Sequence, residues 1–446
     1  MPNRSPGGSA MLTSASEPDL PAAAQSRARE PLRVLAVSHA YPRRNNASHG
    51  IFVHRLHAGM RRAGTEVTVL QLHDWAPPWP LSSIDPAWRR ASRARRELLD
   101  EVDGVAVHHP RTFTPRPSRF FPGDTWEREC RAIVDYCRNT RDVPRPDIVL
   151  GHFMVPDGFH AIALGRALDV PVAVMAWGDD LHNWPEQRPD WRRRLQQVLD
   201  QSDLLIACSR RLVSDGNRWL RNPRDDWQVI YGGVDLERFS ASTDVDPVAR
   251  DASRRRVFGA GVESRQVLVC LAQATAAKGY AELLDAWSDV ARSSSNWTLV
   301  MGGGPGELDI PAEIVRRGLE SSAIWIGPVA PNDVSDVLKA ADGFVLPSHA
   351  EGLSLAMLEA LACAVPTIAT AVGGHDEVIR DSAEGWLIPP RDVAALAKAL
   401  RELTSSPSER LRRGRAGRAA AERIGSPDTN GRRLAELLAG VVARRL

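Results

Sequence analysis

Short apolar runs alternate with helical stretches along most of the chain. The first such unit is an apolar run at 32–38, a helical stretch at 52–63 and a second apolar run at 67–72. This succession of strand, helix and strand predicts a βαβ unit and therefore a parallel sheet. Further apolar runs follow at 147–151, 170–176, 204–207 and 228–231. The first part of the chain is thus predicted to be a doubly wound α/β domain.

The same rhythm restarts after a polar, proline-containing stretch at 240–256. Apolar runs resume at 267–272, 297–301, 324–327, 344–346 and 367–370. We therefore predict two α/β domains, residues 31–238 and 239–405, with an interdomain linker near 233–247. Such domains facing each other leave a cleft at the carboxyl ends of both sheets, where open α/β folds bind ligands.

Both ends of the chain differ from these domains. Residues 1–30 are rich in Ser, Pro, Ala and Gly, which predicts a disordered tail. Residues 406–446 carry many arginines with helical Ala and Leu spacing, which predicts basic helices that can cross back to the first domain.

The composition excludes several classes of protein. The chain has 446 residues, of which 43% are hydrophobic and 25% charged, as in an ordinary globular protein. Its 57 basic and 55 acidic side chains leave a net charge of +2, which does not favour nucleic acid as a partner. The five cysteines lack metal spacing, and no apolar stretch suits a signal peptide or a transmembrane helix. We expect a cytoplasmic protein, either soluble or peripheral on the inner face of the membrane.

The sharpest chemical feature is the segment 351–359, which begins and ends with an acid. Glu351 lies in a predicted loop, and Glu359 lies in the second turn of the helix that follows. The start of that helix would present unpaired backbone N–H groups, which favour a phosphate, at Gly352, Leu353, Ser354 and Leu355. Two acids around an anion site suggest a sugar nucleotide. The alternative is that both glutamates are solvated acids on a helix surface.

This segment resembles the E-x7-E motif of the retaining glycosyltransferases of family 4. Those enzymes have the GT-B fold, in which two Rossmann-like domains face each other across a cleft. Further segments similar to the family follow in its order: 229–235 with Phe239, Lys278-Gly279, 301–305, 326–329, and 371–374 ahead of Glu377. The resemblance covers residues 32–400. Near the N-terminus, the segment from His49 to Arg55 resembles the glycine loop of transferases of bacterial polysaccharide assembly.

The resemblance implies roles for individual residues. Within the family the first glutamate contacts hydroxyls of the donor sugar and the second contacts the ribose, so Glu351 and Glu359 inherit these roles. The ammonium of Lys278 would neutralise the leaving diphosphate, although this residue could also be an ordinary surface lysine. Lys278 and Glu351 are therefore the expected catalytic residues. Further donor contacts are expected from Gly50, Gln273, Gly327 and Val329.

Three places depart from the family pattern. Ala272 and Gln273 stand where the family usually has Gly-Arg, so one of two diphosphate cations is missing. Trp177 stands where His is common; it cannot carry a proton, but it could stack on a sugar and donate one hydrogen bond, or belong to the domain core. Trp177 and Asp180 are expected on the acceptor side. Gly232 stands where Asn is frequent, which we expect to loosen the interdomain loop.

The resemblance implies a retaining hexosyltransferase that uses no metal and no other cofactor. It would move a sugar from a UDP- or GDP-sugar to a glycan, lipid-linked or small-molecule acceptor. One rival is a non-catalytic sugar-nucleotide or glycan-binding protein of the same fold, favoured by Gln273 and Trp177. Another is a sugar-nucleotide epimerase, which would act without an acceptor. The sequence does not separate a uridine donor from a guanosine donor.

Two other patterns bear on possible ligands. Histidines cluster near the N-terminus, but they lack a third ligand in the right context, so we expect no metal there. Residues 75–126 mix tryptophan, phenylalanine and arginine, which suits either an anionic membrane surface or a solvated helix anchored in the core. The arginine-rich C-terminus adds to the expectation of contact with anionic lipid.

Overall fold

The structure is a computed structural model that describes residues 30–44, 46–76, 80–83, 86–112, 125–182, 186, 189–241, 247–259, 261–262 and 264–445. The expected tail over residues 1–30 lies outside the described residues except for Glu30.

The first large sheet is built in the N-terminal half of the chain. Its strands are β1 (Arg33–Val37), β2 (Glu66–Leu70), β4 (Glu101–Val102), β5 (Val105–His108), β7 (Ile148–His152), β8 (Val172–Ala176), β9 (Leu204–Ala207) and β10 (Gln228–Val229). The short strands β3 (His73–Asp74) and β6 (Arg111–Thr112) pair with each other separately. Within the described residues the large sheet has the order β10-β9-β8-β7-β1-β2-β5-β4. All its neighbours are parallel except β4 and β5.

Helices connect these strands and cover the sheet. They are α1 (Ile51–Arg62), α2 (Pro86–Glu97), α3 (Thr125–Asn139), α4 (Phe159–Leu168), α5 (Asp179–His182), α6 (Pro189–Gln201) and α7 (Arg210–Asn217). The central strands β7 and β8 are buried along their whole length. Such strands are apolar without alternation because both faces of a parallel sheet are covered.

The second sheet is entirely parallel. Its strands are β11 (Gln266–Leu271), β12 (Trp297–Gly302), β13 (Ala323–Trp325), β14 (Gly343–Leu346), β15 (Thr367–Thr370) and β16 (Trp386–Ile388). Within the described residues their order is β13-β12-β11-β14-β15-β16. This is the Rossmann strand order, which reverses between β11 and β14. The predicted fold class, two Rossmann-like α/β domains, is confirmed.

The remaining helices follow the same alternation and then close the chain. They are α8 (Pro247–Phe258), α9 (Tyr280–Val290), α10 (Ile310–Arg316), α11 (Val334–Lys339), α12 (Leu355–Ala362), α13 (His375–Val378), α14 (Val393–Ser405), α15 (Pro407–Ile424) and α16 (Pro427–Arg445).

The chain passes from the first core to the second just after β10. Ile230 belongs to the core of the first domain, whereas Val234 and Phe239 belong to that of the second. The polypeptide therefore changes domain slightly ahead of the boundary expected at residue 238.

A second passage returns the chain to the first domain. Ile424, at the end of α15, packs in the second core, while Leu434 and Leu438 of α16 pack in the first. The two passages touch each other, since the Val234 amide donates to the Gly425 carbonyl at 3.0 Å. The last helix is thus part of the N-terminal domain in space.

Candidate functional site

A cavity of about 320 Å³ lies between the carboxyl edges of the two sheets. The first domain contributes Phe52, Trp177, Cys208 and Gly232 to its lining. The second contributes Gln273 and Lys278 after β11 and the segment 351–356 after β14. A larger and more open recess of about 850 Å³, beside β5 and α3, contains none of the predicted site residues.

Lys278 and Glu351 form an ion pair in this cavity. The Lys278 Nζ lies 2.6 Å from the Glu351 Oε1, and the buried Ser348 hydroxyl donates to the same oxygen at 2.8 Å. The topology explains the pairing, because the two residues follow β11 and β14, the adjacent strands at which the sheet order reverses. Burial alone would raise the pKa of Glu351, but the charges of Lys278 and His375 and these hydrogen bonds hold it below its usual value.

The helix α12 begins at the cavity as predicted from the segment 351–359. Ser354 is its N-cap, and its hydroxyl accepts from the Met357 amide at 3.4 Å. The other N–H groups of the first turn have no partner inside the helix, so they can receive an anion. Gly352 leaves no room for a side chain, since a Cβ there would lie 1.8 Å from the Trp177 carbonyl oxygen. The two domains therefore meet backbone to backbone at this point.

The other predicted donor residues lie around this cavity at different depths. Gln273 lines it, and its amide donates to the Pro305 carbonyl at 3.1 Å. The described lining does not include Gly327 or Val329, which lie behind the glycine-rich turn after β12, where Gly303 N donates to Gly327 O at 2.9 Å. A Cβ on Gly303 would lie 1.7 Å from the Ala272 carbonyl oxygen, so glycine lets the two loops pack together.

Gly50 is also placed behind the cavity wall. It is the residue before α1 and has a φ of 63°, in the left-handed region. A Cβ would lie 2.2 Å from the Ala40 carbonyl, so the glycine packs α1 against the loop that follows β1. Phe52, in the first turn of α1, reaches the cavity instead.

Glu359 is buried beneath the cavity and pairs across the two domains. Its Oε1 accepts from the Arg55 Nη1 of α1 at 3.0 Å. Burial raises the pKa of Glu359, and the charge and hydrogen bond of Arg55 counter only part of that rise. Arg55 lies in the segment that resembles the glycine loop, but no pattern in the sequence pairs it with Glu359.

Trp177 lines the cavity, whereas Asp180 does not. The Asp180 carboxylate is buried and accepts from the amides of Met154, Trp177 and Gly178, at 2.8, 3.2 and 2.8 Å. Burial raises its pKa although these amides oppose the rise. An acid that holds three backbone amides is satisfied where it stands, so Asp180 shapes the loop that presents Trp177.

A second interdomain contact was not predicted from the sequence because its partners are far apart in the chain. The Tyr231 hydroxyl donates to Glu377 Oε2 at 2.9 Å, and the Arg211 amide donates to Oε1 at 3.0 Å. Glu377 lies in α13 of the second domain, while Arg211 lies in α7 of the first. Glu377 therefore helps to fix how the two domains face each other.

Two kinds of feature, a metal-binding cluster and a membrane-spanning helix, are absent from the described part of the chain. No group of three or more His, Cys, Asp and Glu side chains there could hold a metal ion. No helix in those residues is both long and apolar enough to cross a bilayer.

Comparisons with known proteins agree with this arrangement. Residues 49–238 match the family model described as Glycosyltransferase Family 4, and residues 255–420 match that of Glycosyl transferases group 1. TuaC of Bacillus subtilis, named as a glycosyltransferase of teichuronic acid biosynthesis, is 25% identical over 83% of this chain and 88% of its own length. A GDP-mannose-dependent phosphatidylinositol monomannoside mannosyltransferase of Mycolicibacterium smegmatis is 32% identical over 56% of this chain and 66% of its own length.

Solved structures share the fold at low identity. HepE of Anabaena, crystallised with UDP and glucose, superposes with a TM-score of 0.68 at 17% identity, covering 92% of this chain and all (100%) of that one. The sucrose-phosphate synthase of Thermosynechococcus elongatus gives a TM-score of 0.71 at 17% identity, covering 93% and 100%. At this identity the likeness concerns the fold alone.

Proposed function

Since the chain belongs to the family 4 glycosyltransferases with the GT-B fold, we propose that it transfers a hexose from a nucleotide-diphosphate sugar with retention of anomeric configuration. The acceptor is a hydroxyl of a glycan, a lipid-linked sugar or a small molecule. The Lys278–Glu351 ion pair, set in a cavity at the N-terminus of α12, carries this proposal.

Charge development decides which groups act on the donor. As the bond between the sugar C1 and the diphosphate oxygen breaks, negative charge grows on the diphosphate. The Lys278 ammonium has three N–H donors, so it can keep Glu351 and also bind phosphate oxygens. The free amides at the start of α12 supply further donors without reorganising.

The two glutamates position the sugar nucleotide. Glu351 is held ionised by Lys278 and accepts from sugar hydroxyls. Arg55 occupies Oε1 of Glu359, and no other donor among the described residues contacts this carboxylate. Its second oxygen is therefore suited to the ribose hydroxyls. We place Gly50, Gln273, Gly327 and Val329 in supporting roles for the donor loops.

In the proposed transfer step every bond, electron pair and proton is accounted for with neither a covalent enzyme intermediate nor a metal ion. The acceptor oxygen forms a bond to C1 on the face from which the diphosphate departs. The electron pair of the broken bond stays on the diphosphate oxygen, which takes the proton of the acceptor hydroxyl. Closure of the two domains excludes water from the reacting atoms.

The relatives suggest which donors and acceptors to test. HepE was crystallised with UDP, and the mycobacterial enzyme is named as GDP-mannose-dependent. TuaC is named for teichuronic acid, a polymer, and the mannosyltransferase for a phosphatidylinositol lipid. We therefore propose a UDP- or GDP-sugar as donor and a glycan or lipid-linked acceptor.

Calorimetric titration with UDP, GDP and ADP, in EDTA and then in magnesium, tests the donor site. We expect one uridine or guanosine nucleotide to bind without metal, with affinity lowered about tenfold or more in Lys278→Ala and Glu359→Ala. Lys398→Ala, an exposed lysine on α14, is the matched control and should bind as the wild type does. Absence of nucleotide binding by the wild type would exclude the proposal.

Turnover and product stereochemistry test the reaction. Glu351→Gln should lower turnover of an identified substrate pair by about a hundredfold, because it removes the charge that orients the sugar. NMR coupling constants of the product report its anomeric configuration. An inverted product would reject retention, and epimerised donor formed without acceptor would indicate an epimerase. Binding without any turnover would favour the non-catalytic alternative.

A peripheral contact with anionic lipid is proposed from helix α2. Its arginines Arg89, Arg90, Arg93, Arg95 and Arg96 are all exposed. Part of the aromatic stretch that also suggested this surface, including Trp79, lies outside the described residues. The C-terminal arginines support it less, because several are paired, as in the Arg418–Glu422 and Arg423–Glu384 contacts. Flotation with phosphatidylglycerol vesicles should recover wild-type protein but less of an α2 variant with these arginines changed to Gln; equal recovery would reject the contact.

A further inference from the structure

A chain of buried hydrogen bonds begins at the wall of the cavity. The Trp177 indole Nε1 lies 3.2 Å from His152 Nδ1, at the end of β7. His152 Nε2 lies 2.8 Å from His57 Nε2 on α1. Both imidazoles are completely buried. The indole that lines the cavity is therefore anchored inside the first domain.

The same chain of hydrogen bonds continues to the surface of that domain. His57 Nδ1 lies 3.4 Å from the Tyr41 hydroxyl, which lies 3.0 Å from His54 Nδ1. His54 Nε2 then lies 2.8 Å from Asp103 Oδ2, in the turn between β4 and β5. The Asp103 side chain is 81% exposed, so the chain ends in solvent.

The two ends of this chain of hydrogen bonds determine which atom donates and which accepts in every bond. An indole nitrogen only donates and a carboxylate only accepts. His152 must therefore accept at Nδ1 and donate at Nε2, and His57 must accept at Nε2 and donate at Nδ1. The Tyr41 hydroxyl then donates onward to His54, which donates to Asp103. Each of the three imidazoles is neutral with one defined tautomer.

The surroundings keep these imidazoles neutral. Burial lowers the pKa of His152 to about 3 and holds that of His57 well below its usual value, helped there by the neighbouring histidines. Burial also lowers the pKa of His54, even though Asp103 opposes the change. A protonated His152 would have no lone pair for the indole, so neutrality preserves the anchor.

Gly232 lies beside another edge of the indole, and its lack of a side chain leaves the space next to that edge open. A Cβ on Gly232 would lie 3.6 Å from Trp177 Cζ3, and both residues line the cavity. A longer side chain at this position would enter the space that borders the indole. The centroid of the Phe52 ring lies 4.6 Å from that of the indole ring, and the two ring planes form an angle of 58°. The indole is thus held on one edge by a hydrogen bond and confined elsewhere by packing.

We propose that Trp177 is a specificity-determining wall that packs on the apolar surface of a pyranose ring, and that His152 is the positioning residue that sets the orientation of its indole. This inference rests on the proposed glycosyl transfer. Sugar rings present C–H groups that pack on an indole surface. The ring can belong to the donor sugar or to a sugar of the acceptor, and the experiment separates the two.

Two amide substitutions of His152 make a matched pair. In His152→Asn the side-chain oxygen takes the place of Nδ1 and still accepts from Trp177, but the bond to His57 is lost. In His152→Gln the amide reaches the place of Nε2 and keeps His57, but the acceptor for the indole is lost. Both variants bury one amide and break one link, so their effects on stability should be similar.

NMR spectroscopy measures whether the Trp177 indole N–H is hydrogen-bonded, and it does not require enzymatic turnover. In protein labelled with ¹⁵N-tryptophan, the indole signal missing from Trp177→Phe identifies Trp177. We expect its N–H to exchange slowly with solvent in the wild type and in His152→Asn, and about tenfold or more faster in His152→Gln. Equal protection of this N–H in the two variants would overturn the positioning role.

Steady-state kinetics measures how Trp177 and His152 affect recognition of the sugar. We expect His152→Gln and Trp177→Phe to raise one sugar KM about tenfold, with His152→Asn within about threefold of wild type. A rise seen in donor hydrolysis by water assigns the ring to the donor; a rise confined to the acceptor KM assigns it to the acceptor. Equal KM values for the two His152 variants would overturn the proposal. A wild type that transfers no sugar would instead reject the proposed function and with it the selecting role, while the indole exchange would still report the anchor.

Discussion

At the residue scale, the adjacent glycines Gly232 and Gly233 differ in backbone conformation and in the space available for a side chain. Gly233 has a φ of 75°, and a Cβ there would lie 2.7 Å from Pro427 N. Gly232 lacks a left-handed φ, and its Cβ would meet only Trp177 at an ordinary 3.6 Å. The sequence GG does not distinguish them, because the difference lies in what the C-terminal segment places beside each one.

This contrast predicts different tolerance of alanine. Gly233→Ala should lower the free energy of unfolding by about 2 kcal/mol or more, because it combines backbone strain with a clash against the returning chain. Gly232→Ala should change the unfolding free energy by less than about 0.5 kcal/mol. Urea denaturation of both variants checks this. Similar losses in the two would mean that the passage between the domains is not packed as described.

At the element scale, the crossing of α16 over α1 depends on small residues. A Cβ on Gly431 would lie 2.7 Å from the backbone of Leu56 and Gly59, and one on Gly59 would lie 2.3 Å from the Pro427 carbonyl oxygen. Backbones that approach this closely leave no room for side chains. The sequence indicated helices here that can cross back to the first domain, but the residues that pack α16 against α1 are known only from the tertiary structure.

We predict that Gly431→Ala separates this helix pair whereas Gly440→Ala does not. Gly440 lies on the same helix, and a Cβ there would meet only the end of the Arg444 side chain, at 3.7 Å. Gly431→Ala should cost about 2 kcal/mol through overpacking, while Gly440→Ala should stabilise the helix by about 0.5 to 1 kcal/mol. Melting temperatures of both variants test this. A stable Gly431→Ala protein would argue against the close crossing.

At the scale of the whole molecule, the ion pair between Arg55 and Glu359 links the two domains through a largely buried contact. Arg55→Met would leave the Glu359 carboxylate buried without its cation, at a cost of about 2 kcal/mol or more near neutral pH. Arg55→Lys, which keeps a cation, should lose less.

The sign of the pH dependence follows from the raised pKa of Glu359. Removing Arg55 raises that pKa further, so the folded variant binds the proton more tightly than the unfolded chain does. Its stability relative to wild type should therefore recover as the pH falls from about 8 to about 5. Denaturation of wild type and Arg55→Met at both pH values measures the difference between their free energies of unfolding. A difference that stays constant with pH would show that Glu359 is not the group left unpaired.

The local elements were largely predictable from the sequence. The strands β9 and β15 coincide with the predicted runs 204–207 and 367–370, and α12 begins after Ser354 as expected. The strands β3, β4, β5, β6 and β16 were missed. Three of them, β3, β4 and β6, have only two residues, which is too few to form a pattern. In β5 only alternate residues are buried, so no continuous apolar run marks it.

The sequence by itself determined the fold class and the family, and it singled out Lys278 and Glu351 as candidate site residues. Periodicity within each element and short-range motifs are local properties, and Lys278 and Glu351 both follow strands of one sheet. Only the tertiary structure decided that Arg55 faces Glu359, that Asp180 lies behind Trp177, and that α16 returns to the first domain. Such contacts depend on how distant segments pack, and the buried histidine chain behind Trp177 exists only because three separate segments meet in one core.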